Sequence, residues 1–255
     1  MIRMIDRSHR RKFGQNYLVD PIIILRIQEL LNPQPSDNFF EIGPGQGALT
    51  EFLVNQASHL TAIEIDTDNI KTLEKKFNTK NFQVIHADIM QVDLQTILEE
   101  GHRIVGNLPY NIASQIILQL STVGQCCKDL HFMVQKEMGD VMTASPKTKS
   151  WNKFAVKVQW FFDTEKILEV PPTAFDIKPK VDSVIVRLIP KSIDLSEEKR
   201  KKLFNLIDQS FHAKRKTIGN NLKSFEIDWS LLNIDQSMRA EELSLQEFEA
   251  ILNHV

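Results

Sequence analysis

The sequence predicts a doubly wound α/β domain with a mostly parallel sheet, followed by a small all-helical domain. Three observations carry this. Short apolar runs alternate with helix-length segments between residues 22 and 134. A Gly-rich loop joins the first strand to the helix after it. Near residue 192 the texture changes to amphipathic helical segments. Strands that alternate with helices and read as continuous apolar runs belong in a parallel sheet covered on both faces.

Asp20-Pro21 supplies an N-cap and first-turn proline for a helix over 22–31, which ends near Asn32-Pro33. After the polar turn at 35–38, Phe39-Phe40-Glu41-Ile42 reads as the first buried strand. Helix 48–56, strand 60–65, helix 69–77, strand 82–86, strand 103–105, helix 113–120 and strand 130–134 follow. Two later runs, 154–162 and 181–189, read as long strands joined by a Pro-rich loop, which makes them a terminal antiparallel pair and brings the strand count to seven. Ser196 caps a helix whose apolar stripe is Leu203, Leu206, Ile207 and Phe211, and Ser244-x-x-Glu247 is a capping box. The expected domains are therefore 1–191 and 192–255.

The chain has 255 residues, 42% of them hydrophobic, enough for one large core and a satellite. It has no apolar stretch long enough to span a bilayer, and its N-terminus is basic with no apolar secretory segment, so the expected location is the cytoplasm and no membrane partner is expected. Cys126 and Cys127 are adjacent, which suits neither a structural disulfide nor a metal motif; they read as packing residues, and no metal is expected. The net charge of −2 conceals strong asymmetry, because residues 1–12 carry a net +4, residues 191–223 a net +5 and residues 224–255 a net −6. Segregation of that kind fits a basic face for nucleic acid, although solvated helix faces would produce it too.

In EIGPGQG (41–47), directly after a strand, Gly43, Gly45 and Gly47 let backbone amides approach a ligand. A tight strand-to-helix turn would use the same glycines. Glu64, at the end of the next strand, places a carboxylate where it can accept both hydroxyls of a ribose, and Asp66 and Asp68 beside it read as helix-cap residues. His86-Ala87-Asp88 puts a further acid, Asp88, on the same sheet edge, suited to an adenine amino group. Ligands of open α/β sheets bind at that carboxyl edge.

The fourth strand ends in Asn107-Leu108-Pro109-Tyr110. The lone pair of an adenine 6-amino group is delocalised into the ring, so the nitrogen attacks a methyl donor only when acceptors hold its protons. The Asn107 amide oxygen and the Leu108 carbonyl are two such acceptors, Pro109 fixes the chain direction, and Tyr110 offers a flat face for the base. An isolated N-x-P-Y would be a β-turn; its place one strand beyond the two acids favours chemistry.

FGQNYL (13–18), EIGPGQGALT (41–50), AIEID (62–66), HAD (86–88) and GNLPYNIAS (106–114), with QKE (135–137), PKVDS (179–183), AKRKTIGNNL (213–222) and RAEELS (239–244), span almost the whole chain. Together they resemble the small-subunit ribosomal RNA adenine dimethyltransferases of the KsgA (RsmA) type. The resemblance implies the seven-stranded Rossmann-like methyltransferase fold, S-adenosyl-L-methionine as methyl donor, and contacts to it from Gln15, Asn16, Leu18, Gly43, Gly45, Glu64, Asp88 and Asn107. It implies a target adenine held between Tyr110 and Phe175, a residue that from the residue pattern alone is equally a core position of a Pro-rich loop. It also implies dimethylation of two adjacent adenines near the 3′ end of small-subunit RNA, within an assembling 30S particle, by a protein expected to be a monomer. The sequence departs from the family where Ile177 replaces a proline of F-x-P-x-P-K and where 140–154 lacks the usual Gly-Ser-Lys-rich run.

Arg10, Arg11 and Lys12 in the N-terminal arm, and Lys214, Arg215 and Lys216, are the candidate phosphate contacts. Lys199-Arg200-Lys201-Lys202 covers every side of a helix, so part of it only faces solvent. Two other readings share the fold: a large-subunit RNA adenine methylase of the antibiotic-resistance type, and an RNA-binding assembly factor that keeps the cofactor pocket. NLPYNIAS with RAEELS points away from the first, and intact Asn107, Glu64 and Asp88 argue against the second.

Overall fold

A computed structural model of the chain describes residues 16–255 other than 122, 124, 125 and 194, so the expectations placed on Arg10, Arg11, Lys12 and Gln15 lie outside the described residues. The elements in chain order are α1 (Pro21–Leu31), β1 (Asn38–Ile42), α2 (Thr50–Gln56), β2 (His59–Glu64), α3 (Thr67–Lys76), β3 (Phe82–His86), β4 (His102–Asn107), α4 (Ala113–Leu120) and β5 (Cys127–Gln135). Then come α5 (Lys136–Met142), α6 (Lys153–Phe161), β6 (Phe162–Val170), β7 (Ser183–Pro190), α7 (Glu197–Ser210), α8 (Ile218–Asn221) and α9 (Leu245–Leu252).

The seven strands form one sheet in the order β3-β2-β1-β4-β5-β7-β6. β1 to β5 pair in parallel, and β7 runs antiparallel to β5. The order reverses between β1 and β4, the place where an open α/β sheet leaves a crevice at its carboxyl edge. β1 buries Phe39, Phe40, Glu41 and Ile42, as a central strand covered on both faces must. Fully burying a side chain such as Phe40 or Leu60 contributes about 1.5–3 kcal/mol.

Local chemistry explains the element ends. Asp20 Oδ1 accepts from the Ile22 and Ile23 amides at 2.8 and 3.3 Å, and α1 then buries Ile23, Ile27 and Leu31 at four-residue spacing. Asp66 caps α3 through the Asp68 amide at 2.9 Å. At the opposite sheet edge from the crevice, Arg103 binds Asp129 through Nε and Nη2, both at 2.9 Å, and Asp37 through Nη1 at 2.8 Å. Lys128 adds a 3.0 Å contact to Asp37. Burial alone would lower the Arg103 pKa, but the two carboxylates outweigh it and raise it. Burial opposes ionisation of Asp37 as well, and bonds from the Gln34 amide, Lys128 and Arg103 outweigh it and lower that pKa. The network clamps the starts of β4 and β5 to the residue before β1.

Two compact units divide the chain. One joins the segment ending at Gly139 with Thr164–Pro190; the other joins Asp140–Asp163 with Lys191–Val255. The expected division places 192–255 in the second domain; here the last segment of the second unit begins at Lys191, and Asp140–Asp163 joins it. The expected strand at 154–162 is likewise corrected. It is the helix α6, started by Asn152, whose Oδ1 accepts from the Phe154 and Ala155 amides at 2.9 and 3.2 Å. The near-continuous apolar run reads as a buried strand by periodicity, but it is a helix buried on several sides. In the second unit Lys157 binds Asp208 at 2.8 Å, and Trp151 Nε1 donates to the Leu243 carbonyl at 2.9 Å. Ser196 and Ser244 cap α7 and α9 as expected.

Candidate active site

The carboxyl edge of the sheet holds a cavity of about 250 Å³ in the first unit. It is floored by the end of β1 and the loop after it, walled by the ends of β2, β3 and β4, and lined as well by residues 16–18. Gly43, Gly45 and Gly47 all have positive φ, at 67°, 57° and 84°. A Cβ on Gly45 would lie 2.8 Å from the Tyr17 ring, and one on Gly47 would lie 2.7 Å from the Phe77 ring. The glycines are therefore required by backbone conformation and by close approach together.

Glu64 is buried at the end of β2. Its Oε1 accepts from the Ile65 and Asp66 amides at 2.8 and 2.9 Å, and its Oε2 from the Gly45 amide at 3.1 Å and Asn69 Nδ2 at 3.3 Å. Asn69 in turn accepts from the Tyr17 hydroxyl at 3.0 Å. Burial raises the Glu64 pKa, and the four hydrogen bonds oppose it. Beneath it Glu41 is fully buried, and that burial pushes its carboxyl up to about 7; the 2.6 Å bond from Thr50 works against the shift and the charge of Glu64 adds to it. Asp88 closes the far wall and caps the turn after β3 through the Met90 amide at 2.9 Å.

β4 delivers the tetrapeptide. Gly106 allows its approach, since a Cβ there would lie 2.7 Å from the Ile42 carbonyl of β1. Asn107 Nδ2 donates to the Asn16 carbonyl at 2.9 Å. That bond orients the amide on a side chain that lines the cavity, and it leaves Oδ1 as the acceptor end. Leu108 donates its amide to the Met133 carbonyl at 3.1 Å, while its own carbonyl accepts no backbone bond among the described residues. Tyr110 lines the same cavity, and its hydroxyl shares a 2.7 Å hydrogen bond with Ser183. Burial raises the Tyr110 pKa, with the Ser183 bond acting the other way.

The structure thus brings together Asn16, Leu18, Gly43, Gly45, Glu64, Asp88, Asn107, Leu108, Pro109 and Tyr110. Phe175 it places elsewhere. The residue is 2% exposed, within the apolar core that includes Leu18, Ile23 and Val170, and it does not line the cavity. Phe175 pairs with Leu18 in an antiparallel bridge, and Asp176 binds the Tyr17 backbone on both sides, donating its amide at 3.0 Å and accepting at 3.2 Å. In this structure Phe175 therefore sits at a core position of the Pro-rich loop, apart from the residues that line the cavity. Lys214, Arg215 and Lys216 are exposed in the second unit, between α7 and α8. Of the lysine-rich run on α7, Lys201 pairs with Glu197 at 2.7 Å, Lys199 bonds Asn253 at 3.2 Å, and Lys202 bonds Val255.

Four site residues escaped the sequence reading. Glu41 had a signal, as a charge inside an otherwise apolar strand. Asn69 had a weaker one, as a polar residue one turn before the buried Leu73 on the inward face of α3. Tyr17 and Ser183 lie within motifs already noted, but nothing in the residue pattern places Tyr17 over Gly45 or Ser183 beside Tyr110.

A family model described as ribosomal RNA adenine dimethylase matches residues 6–255. A protein named ribosomal RNA small subunit methyltransferase A from Nitrosospira multiformis is 40% identical over 253 residues, 98% of this chain and 97% of its own length. One of the same name from Chromobacterium violaceum is 39% identical over 249 residues, 96% of this chain and 95% of its own. Among solved structures, a dimethyladenosine transferase from Plasmodium falciparum superposes with a TM-score of 0.78 at 26% identity, covering 92% of this chain and 95% of that one. The 23S rRNA methyltransferase ErmE superposes with a TM-score of 0.72 at 22% identity, covering 94% and 99%, a likeness of fold alone. A match over nearly the full length, to a family whose motifs converge on one cavity here, means that this chain belongs to the ribosomal RNA adenine dimethylase family.

Proposed function

We propose that this ribosomal RNA adenine dimethylase methylates the 6-amino groups of two adjacent adenines in the 3′-terminal hairpin of small-subunit RNA, within an assembling 30S particle, and does so as a monomer. The observation that carries the chemistry is the 2.9 Å bond from Asn107 Nδ2 to the Asn16 carbonyl. It fixes the amide with its acceptor end available on a side chain that lines the cavity. The small-subunit substrate is supported by the names of relatives at 39–40% identity over almost the whole chain.

S-adenosylmethionine fits the cavity and supplies an electrophilic methyl group when bound. The fit rests on the Cβ-free cradle at Gly43 and Gly45 and on a buried carboxylate, Glu64, that its neighbours hold by hydrogen bonds to both oxygens. Glu64 would take the ribose hydroxyls; the 3.3 Å Asn69 contact is the longest of its four and the one such a hydroxyl would share or replace. Asp88 would take the amino group of the cofactor's adenine, and Asn16, Leu18 and Asn107 close the same cavity.

The protein's own groups act on the target amine. Asn107 Oδ1 and the Leu108 carbonyl accept its two N–H bonds, which withdraws the protons from the ring plane and localises the lone pair. The Tyr110 ring stacks on the base. Acceptors held in place before the reaction cost no reorganisation during it. Arg10, Arg11 and Lys12, with Lys214, Arg215 and Lys216, hold the RNA backbone. The cofactor assignment is tested by calorimetry with S-adenosylhomocysteine. Glu64→Ala should weaken its binding at least tenfold and leave RNA binding within about twofold; unchanged cofactor affinity would remove Glu64 from the ribose site.

A further inference from the structure

Parallel strands present only their carboxyl ends at the ligand edge, but β7 runs opposite to β5 and so brings its first residue there. Ser183 pairs with Gln135, the last residue of β5. The amide of Lys136 donates to the Asp182 carbonyl at 2.9 Å, which pins the approach to the strand as well. Ser183 is 0% exposed, and its hydroxyl meets the Tyr110 hydroxyl at 2.7 Å.

A phenylalanine would stack on a base as well as a tyrosine does, so stacking alone gives the Tyr110 hydroxyl no role. The first side-chain torsion has several staggered wells, so the side chain alone does not fix where the far end of the ring lies. A hydrogen bond from the para hydroxyl to a group anchored in the sheet fixes that end, and because the oxygen lies on the ring's long axis it sets the position and direction of that axis. We propose that Ser183 is a positioning residue for the transfer, holding in place the Tyr110 ring on which the target adenine stacks. This rests on the proposed role of Tyr110 and adds to it the group through which the sheet controls the ring. It also assigns work to the final serine of PKVDS, which otherwise only opens a strand.

The test is a double-mutant cycle on kcat/KM for methyl transfer to unmethylated small-subunit particles, using Ser183→Ala, Tyr110→Phe and the double variant. Each single variant should lose about tenfold, and the double variant should also lose about tenfold rather than a hundredfold, because both changes delete the same bond. A buried serine acting only in folding would instead lower thermal stability and combine multiplicatively with Tyr110→Phe. That multiplicative result, or full activity in Tyr110→Phe, overturns the proposal. Tyr110→Phe keeps the ring and carries the test alone if Ser183→Ala does not fold. Failure of the unaltered protein to label adenine at all would overturn the proposed function, a result separate from any pattern among the variants.

Discussion

Asn107 Nδ2 lies 2.9 Å from the Asn16 carbonyl, so the amide at the end of β4 is oriented by a residue 91 positions earlier in the chain. The bond decides which end of the amide the cavity receives. It also joins residues 16–18, which line the cavity, to the end of β4, which the proposed function assigns to the target base.

Asn107→Asp therefore separates orientation from acceptor capacity. The carboxylate keeps two acceptors but sets one against the Asn16 carbonyl, where no donor remains. Transfer should fall on the order of 100-fold in kcat, the scale seen when one oriented polar group is removed from a catalytic site. Stopped-time assays at saturating cofactor measure it. Activity within a few fold of the unaltered protein would show that the Asn16 bond does not orient the amide.

His131 gives a pH dependence whose sign is fixed. Burial holds its pKa down to about 4 from 6.5, with Arg103 and Arg187 adding to the shift and Asp129 opposing it. Its Nδ1 lies 3.6 Å from Asp129, too long for a hydrogen bond, and the uncharged ring makes no salt bridge at neutral pH. Because the folded-state pKa is depressed, its contribution is fully present above pH 6.5 and is lost as pH falls through about 4, an effect of ~3 kcal/mol. Glu41 acts in the opposite sense: raised to about 7, it favours the fold below pH 4.5 and loses that contribution as pH rises through 7. Urea unfolding of the protein and of His131→Asn between pH 7 and pH 4 should show their stability difference shrinking toward acid. A constant difference would contradict the assignment.

Lys214, Arg215 and Lys216 are exposed in the second unit; Lys199, Lys201 and Lys202 of α7 are exposed too, but have partners within the chain. Replacing the three by alanine should weaken RNA binding evenly across sequences and flatten its salt dependence by about one unit of slope for each phosphate no longer neutralised. Filter binding over a salt series measures both. An unchanged slope would mean that the three cations do not meet phosphate.

The parts of the molecule that were legible in the sequence are those set by local rules. Asp20, Ser196 and Ser244 mark helix starts by capping chemistry, and each caps the helix it announces. Phe39 to Ile42 reads as a strand because buried parallel strands carry little polarity. Glu64, Asp88 and Asn107 were found because strand ends in this architecture converge on one edge. What failed depends on tertiary surroundings. Residues 154–161 carry a strand-like run, and only Asn152 as a cap betrays the helix. Phe175 has the residue type for base stacking, and its place in the core, bridged to Leu18, is one that no local pattern announces. The Tyr17–Asn69–Glu64 chain joins three separate segments, and Ser183 reaches Tyr110 only because β7 runs antiparallel.

The central claim is tested most directly by supplying labelled S-adenosylmethionine with unmethylated small-subunit particles or with naked large-subunit RNA and mapping the modified bases. The expected result is dimethyladenine at two adjacent positions near the 3′ end of small-subunit RNA, with Asn107→Ala abolishing most of it. Label confined to large-subunit RNA, or transfer undiminished in Asn107→Ala, would contradict it.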